Sequence, residues 1–438
     1  MKSTNPNLSK GAGKMKKKSL ILYLSGGLGI LLAIGLCIFL LNDKGSLDNS
    51  EQQMSEAIAS SESESMMEII GGQTEEAEST EIVMEPTEEE PQTLQVVMVG
   101  DMLMHERIIE SGKKEDGSYN FDHLFTHVKD FITEADLAIV NQETILGGPD
   151  YGYTGYPSFN SPYELGDSLV DAGFDVVLHA TNHTLDKGKK AVINCMNYWE
   201  TNHPEMAYLG IHQSEEAQDE IYVYEQDGFR IAILNYTYGM NGIAIPKDMP
   251  YIVNMMEEEQ IREDIRKAEE IADFTIVCPH WGTEYKLEET SEQRNWAELF
   301  LEEGVDLVLG AHPHVIEPIE WLSDEEGHEM LVYYSLGNFV NGTSSTGHGV
   351  TNRMVGGIAD VTLERGGDGT VKIAEYGAVP IVCHIGKGTE YTVYYMEDYT
   401  EELASKNLIL SQDDEFSKEL CESIFEEVWG DDKEGFSN

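Results

Sequence analysis

The stretch "LVLGAHPHVIEPIE", Leu307 to Glu320, closes an apolar run with His312, Pro313 and His314. "VDLVLGA" reads as a fully buried strand, apolar, β-branched and ending at glycine. Two imidazoles one residue apart would face opposite sides of an extended chain, whereas a kink at Pro313 would let both converge on one point. The pair is either two loop histidines on a rim or part of a metal site at the carboxyl end of a sheet, where open α/β folds place their ligands.

Four other apolar runs end in the same way. "LQVVMVGD" stops at Asp101, with His105 four residues on. "DLAIVNQE" stops at Glu143, "FDVVLHATNH" at Asn182 and His183, and "FTIVCPHWG" at His280. In a parallel-rich sheet these ends share one edge. Chance supplies one metal-capable strand end easily, but not five in chain order with histidine at three of them.

Together these side chains suit a dinuclear centre. Two divalent ions about 3.5–4 Å apart need a bridging carboxylate, terminal imidazoles and an oxygen ligand to share one hydroxide. Glu143 would bridge, Asp101 and His314 would hold one ion, and Asn182, His280 and His312 the other; His105 is a further candidate ligand. The mixed nitrogen and oxygen set favours Mn, Fe, Zn or Co over Ca or Mg. Paired ions would lower the pKa of a shared water and clamp phosphoryl oxygens during in-line attack. His183 would then protonate the leaving oxygen, with Asp186 orienting its imidazole.

Other polar residues read more simply. His123 and His127, at i and i+4 in "HLFTH", form a helix face, because nothing nearby completes a zinc site. His179 alternates with strand neighbours as a satisfied near-core histidine. His203, His212, His328, His348 and His384 read as loop or edge residues. Trp281 and Tyr285 are candidates to wall the pocket, and Gly337 and Asn338 fit a tight turn beneath it.

The elements that would position these residues alternate between strand and helix. "SPYELGDSLVDAG" opens on a Ser-Pro helix start and closes on glycine. "FDHLFTHVKDFITEA", "DKGKKAVINCMNYWE", "EEEQIREDIRKAEEIA" and "TSEQRNWAELFLEEG" have helical spacing. "IYVYEQDGFRIAILNYTY" is a hairpin turned at Asp227-Gly228. "HEMLVYYSLGNF" and "GGIADVTLERGGDGTVKIAEYGAV" supply later antiparallel strands.

The motifs "GDMLMH", "NQET", "TNHTLDKG", "HWGTEY", "GAHPHVIEPIE" and "SLGNF", in this order, resemble the CapA family of bacterial capsule-synthesis, poly-γ-glutamate-associated proteins. The likeness runs from about Val96 to Asn341. That family in turn resembles the calcineurin-like metallophosphoesterases, which implies an αββα sandwich with a dinuclear metal site and the ligand roles given above. Three positions depart from the superfamily pattern. Leu103 stands where a histidine is usual two residues after the first aspartate, Glu143 replaces a bridging aspartate, and Asp186 is not adjacent to His183.

The 438 residues divide unevenly. A basic tail, 1–19, is expected in the cytoplasm, ahead of a signal anchor over 20–41 that is uncharged and long enough to cross ~30 Å of hydrocarbon. A cleaved signal peptide would have a shorter apolar core, and Leu36 before Cys37 argues against a lipoprotein. Residues 42–93 read as a disordered linker, with 14 acidic residues and no Lys or Arg between Gly45 and Pro91. The CapA-like domain is expected over 94–395 and an acidic helical tail over 396–438. Cys195, Cys278, Cys383 and Cys421 are too widely spaced for a disulfide framework and read as buried thiols.

Lys and Arg total 28 and Asp and Glu 81; residues 1–44 hold 7 and 1 of these, so the chain beyond Lys44 carries 21 against 80, a net −59. That field excludes nucleic acid as a partner. Two functions fit: a membrane-anchored extracellular metal-dependent hydrolase acting on an envelope component, or a non-catalytic metal-binding subunit of a capsule or poly-γ-glutamate synthesis or export complex. A plain solute-binding protein leaves the clustered histidines unexplained. The lysines before the uncharged span put the amino end inside the cell. Protease added to intact cells should therefore degrade the domain beyond Gly45, and full protection would overturn this topology.

Overall fold

The structure, a computed structural model, describes residues 92–430. The basic tail, the expected membrane anchor and nearly all of the acidic linker lie outside the described residues. Among the described residues no helix is long and apolar enough to cross a membrane.

Two mixed sheets form the frame. The first contains β1 (Gln92–Met102), β2 (Leu137–Asn141), β3 (Val176–Leu178) and β4 (Ala207–Leu209), all parallel. It is extended on the other side of β1 by antiparallel β12 (Val355–Arg365), β13 (Val371–His384) and β14 (Thr392–Tyr395). The strand order is β14-β13-β12-β1-β2-β3-β4, and a short strand β11 (Asn338–Val340) pairs with the end of β1. The second sheet contains β5 (Val223–Gln226), β6 (Phe229–Thr237), β7 (Phe274–His280), β8 (Leu307–Leu309), β9 (Ile316–Ser323) and β10 (Glu329–Leu336), in the order β5-β6-β7-β8-β10-β9.

The sequence patterns follow from this burial. β2 and β3 are parallel and buried on both faces, so they read as continuous apolar runs. β6 and β7 divide their side chains by parity. Ile231, Ile233, Ile276 and Cys278 face the core shared with the first sheet. Ala232, Leu234, Tyr236 and Val277 pack instead against Ile261, Ile265, Ala297 and Phe300 of the helices Glu258–Ile271 and Ser291–Glu303. Helices Glu164–Asp171 and Lys189–Asn202 contribute Leu165, Leu169, Met196 and Trp199 to the larger core. Helix, sheet, sheet and helix thus stack as the expected α/β sandwich.

Local signals set the boundaries. Helix Ser291–Glu303 starts with a reciprocal Thr290–Gln293 capping box and stops at Gly304, whose φ is 101°. The β5–β6 hairpin turns at Asp227 and Gly228, with φ of 50° and 89°, the sign that a two-residue hairpin turn requires. Where one helix was expected from Phe121 to Ala135, the chain forms a 3-10 turn, Asp122–Leu124, and a short helix, Lys129–Glu134. His123 therefore lies in the turn and bonds Ser111, while His127 stacks on Tyr394 at 4.1 Å.

Of the helical tail expected over 396–438, the described part, 396–430, contributes Met396, Tyr399, Phe416, Ile424 and Trp429 to the same core. The four cysteines of the described part are free and buried. His384, expected at an edge, is also buried and bonds the Tyr399 hydroxyl at 2.9 Å.

The end of β1 passes unusually close to the chain after β10. The Asp101 amide donates to the Gly337 carbonyl at 3.0 Å, and a Cβ on Gly100 would lie 2.0 Å from that oxygen. Gly337 itself takes φ 67°. Glycine in "GDM" and in "SLGNF" thus permits one crossing directly beneath Asp101. Gly100→Ala should lower unfolding stability by about 3 kcal/mol through backbone displacement. Gly367→Ala, where an added Cβ meets open space, should stay within about 0.5 kcal/mol. Urea denaturation of the two variants checks the contrast.

Candidate metal centre

Strand register brings the polar ends together. Asp101 is level with Asn141 across β1 and β2, and Asn141 with Leu178 of β3, just before Asn182 and His183. In the second sheet His280 is level with Thr237 and bridges to Ala311, the residue before His312. The carboxyl edges of both parallel sets therefore meet, and the cleft lies where they meet.

The central group is Glu143, whose residue is 1 % exposed. Its Oε1 lies 3.7 Å from His314 Nε2, 3.9 Å from His280 Nε2 and 3.9 Å from His183 Nε2. Among the described residues neither carboxylate oxygen accepts a hydrogen bond, and buried His312 Nδ1 is also without a partner. The surrounding ligand-capable atoms fall into two groups, Asp101–Glu143–His314 and Glu143–His280–His312, each with its atoms within 4.8 Å of one another. Glu143 belongs to both.

Neighbouring groups hold each ligand in place. Asn141 Nδ2 donates to Asp101 Oδ1 at 2.7 Å and lies 3.3 Å from His280 Nδ1. His280 Nε2 is 3.0 Å from Asn182 Oδ1. The His312 amide reaches both Asp101 oxygens, at 3.2 and 3.3 Å. His314 Nδ1 lies 3.0 Å from Asp101 Oδ2 and 3.1 Å from Asn338 Oδ1, while Asn338 Nδ2 donates to the His314 carbonyl at 2.9 Å.

The convergence of His312 and His314 has a different cause from the expected proline kink. Both histidines adopt left-handed backbone, with φ of 103° and 59°. Such conformations cost about 1–3 kcal/mol each in non-glycine residues and persist only where the surroundings enforce them. Here Asp101 and Asn338 fix the backbone on either side of Pro313.

Electrostatics divides the imidazoles. Burial holds His280 and His312 well below the ordinary histidine range, and neighbouring histidines add to the effect, so both are neutral. Burial would also lower His314, but Glu143 and Asp101 outweigh it and raise it to about 9. Burial pushes the Glu143 carboxyl well up, against the pull of His314. Metal ligands must shed their protons, and a divalent cation would take over from the His314 proton in balancing these carboxylates.

The remaining sequence candidates occupy distinct places. His183 Nδ1 lies 2.8 Å from Asp186 Oδ2, which also accepts from the Phe159 amide at 2.7 Å. His105 stands outside both ligand groups; its ring packs edge-on against Phe159 at 5.3 Å, and burial with nearby cations lowers it to about 4. Tyr285 lines the cleft and stacks on His314 at 5.9 Å. Trp281 does not, because its indole donates to the Tyr334 carbonyl within the second core. His179 is satisfied in the core, accepting from Trp199 Nε1 at 2.9 Å.

The sequence reading passed over Asn141, Tyr238 and Arg353. Period-two alternation puts Asn141 on the same side as Glu143, a signal that was available. Tyr238, whose ring sits 4.6 Å from that of His312, follows β6, and Arg353 lies in the short 3-10 turn Thr351–Met354 before β12; neither carries a periodic signal.

The residues fit divalent ions on their own chemistry: two carboxylates, three histidines, a shared glutamate and buried polar atoms without partners. A two-sheet α/β domain with such a cluster on its joined carboxyl edges carries the donor set of a carboxylate–imidazole metal centre. Residues 95–343 match the family described as bacterial capsule synthesis protein PGA_cap, and the chain belongs to that family.

Among curated relatives it is 26% identical over 270 residues to the capsule biosynthesis protein CapA of Bacillus anthracis, covering 60% of this chain. It is 28% identical over 254 residues to the PGA biosynthesis protein CapA of Bacillus subtilis strain 168, covering 56% of this chain. In each case the match spans 63% of the relative's own length. Among solved structures, NAD nucleotidase NadN of Haemophilus influenzae superposes with TM-score 0.43 and 11% identity, over 78% of this chain and 68% of its own. A hypothetical protein of Thermus thermophilus gives TM-score 0.39 and 16% identity, over 66% and 98% respectively.

Removing an imidazole ligand opens a coordination position, whereas removing a proton donor leaves the ligand set whole. His312→Ala and His314→Ala should each lower bound metal about 10-fold or more at limiting metal, and His183→Ala should leave it unchanged. Metal analysis after dialysis decides, and equal content in all three variants would remove both histidines from the ligand list.

Proposed function

We propose that this chain is a metal-dependent, phosphoesterase-type hydrolase of capsule or poly-γ-glutamate biosynthesis. In this reading its domain is held outside the cell membrane by the Leu20–Leu41 segment. The observation that carries the reading is Glu143, a buried carboxylate shared by two ligand groups and without a hydrogen-bond donor. The names of the curated relatives supply the polymer, and proteins that build or export it are the proposed partners.

Asp101 and His314 would hold one ion, His280 and His312 with Asn182 the other, and Glu143 would serve both. Bound ions would acidify a water and offset charge on a phosphoryl group. The protein's own residues do the rest. Asp186 is fixed by the Phe159 amide and accepts the His183 Nδ1 proton, which sets the tautomer and stabilises the imidazolium. His183 Nε2 then faces the cleft, where it hands its proton to the leaving oxygen and becomes neutral. Phe159 packs edge-on against the His183 ring at 4.7 Å and limits its rotation.

Leu103, an apolar residue in the cleft wall, favours the second reading, a metal-binding subunit without turnover. Hydrolysis separates the two. The purified full chain, loaded with Mn, Fe, Zn or Co, should cleave both an aryl and an alkyl phosphoester. His183→Ala should slow the alkyl ester by about 10²–10⁴-fold. The aryl ester should be affected less, because a good leaving group needs little protonation. Absence of turnover by the wild-type protein with every metal would establish the subunit reading instead.

A further inference from the structure

The cleft beside the metal centre, about 330 Å³, contains one fixed cation among its described lining residues, Arg353. Arg262, Arg266, Arg294 and Arg365 each pair with Glu or Asp. The contacts of Arg353 are of another kind. Nη1 donates to Thr343 Oγ1 at 3.0 Å and to Ser345 Oγ at 2.9 Å, and the guanidinium lies 3.5 Å above the Tyr285 ring. Its Nε is buried without a hydrogen-bond partner, and no carboxylate among the described residues is in ion-pair contact with the guanidinium. Glu284 is the acidic side chain whose field reaches it, from beyond that distance.

In a chain whose residues beyond Lys44 carry a net −59, an arginine with no carboxylate in ion-pair contact among the described residues is suited to a foreign anion. Its placement is defined from behind. Asn338, which holds His314, also donates to the Arg353 carbonyl at 3.0 Å. Tyr285 contacts both groups, its ring centroid 3.5 Å from the Arg353 guanidinium and 5.9 Å from that of His314. The arginine and the candidate ligand His314 therefore share two neighbours, Asn338 and Tyr285.

We propose that Arg353, backed by Thr343 and Ser345, binds a second oxyanion of the substrate, a carboxylate or phosphate separate from the group at the metal centre. This rests on the hydrolase reading for the identity of the first group, but not for the anion site itself. The planar fork of arginine suits either oxyanion, and the hydroxyls that hold Nη1 pre-set its angle. The substrate class is then a molecule with two separate anionic groups, such as an acidic repeat unit carrying a phosphoester.

The test uses the full chain in detergent with chelator present, so that neither metal nor turnover enters. Inorganic phosphate and glutarate are titrated by calorimetry. Wild type should bind at least one of them, phosphate alone indicating a second phosphate, glutarate alone a carboxylate, and both a general oxyanion site. Arg353→Met should weaken that binding about 10–100-fold. Arg353→Lys, which keeps charge but loses the fork, should fall between, and it serves as the test if the Met variant fails to fold by circular dichroism. Unchanged affinity in the folded variants, or no binding of either anion by wild type, would overturn the proposal. Loss of metal-dependent hydrolysis alone would not touch it.

Discussion

The structure is organised around one unfavourable burial. A carboxylate removed from water without hydrogen-bond donors is among the costliest groups a fold can hold, unless cations or protons compensate it. Glu143 is such a group, and its neighbours answer to it. His314 carries positive charge beside it, His280 and His312 present neutral nitrogen, and Asp101 is drawn off by Asn141 and the His312 amide. Asn141 restrains both Asp101 and His280, and Asp101 in turn bonds the His314 ring and the His312 amide. None of them would adopt its position for the sake of packing.

The same constraint accounts for the strained backbone at "HPH". An extended strand end would send His312 and His314 to opposite faces, and only one could approach the glutamate. Left-handed geometry at both lets each reach it from its own side, and Asn338 and Asp101 supply the bonds that enforce it. The glycine crossing at Gly100 and Gly337 serves the same end, since it brings "SLGNF" under the strand that carries Asp101. Motifs far apart in sequence are thus parts of one support.

Much of this was legible in the sequence because buried parallel strands leave a strong apolar signal and their ends are sharply marked. Asp101, Glu143, Asn182, His280, His312 and His314 stood out as polar residues terminating such runs. Arg353 and Tyr238 did not, because a single 3-10 turn and the segment after a strand are placed by tertiary contacts and leave no periodic pattern. The region after Phe121 misled for a related reason. Its apolar spacing matches a helix, yet Phe121, Leu124 and Phe125 are claimed by the core in a tighter turn. Residues 396–438 read as an acidic helical tail, and within the described part buried Tyr399, Phe416 and Trp429 join the core.

The centre draws its groups from both sheets, and Asp101 and His314 are 213 residues apart. A cation held there would act as a clasp between the two halves of the sandwich, closing one of the longest loops the domain contains. The entropic benefit of such a closure falls on the unfolded chain rather than on any local contact. Metal supply would then add to the shared core in keeping the two sheets docked, and the cleft would exist only in molecules whose folding had reached completion.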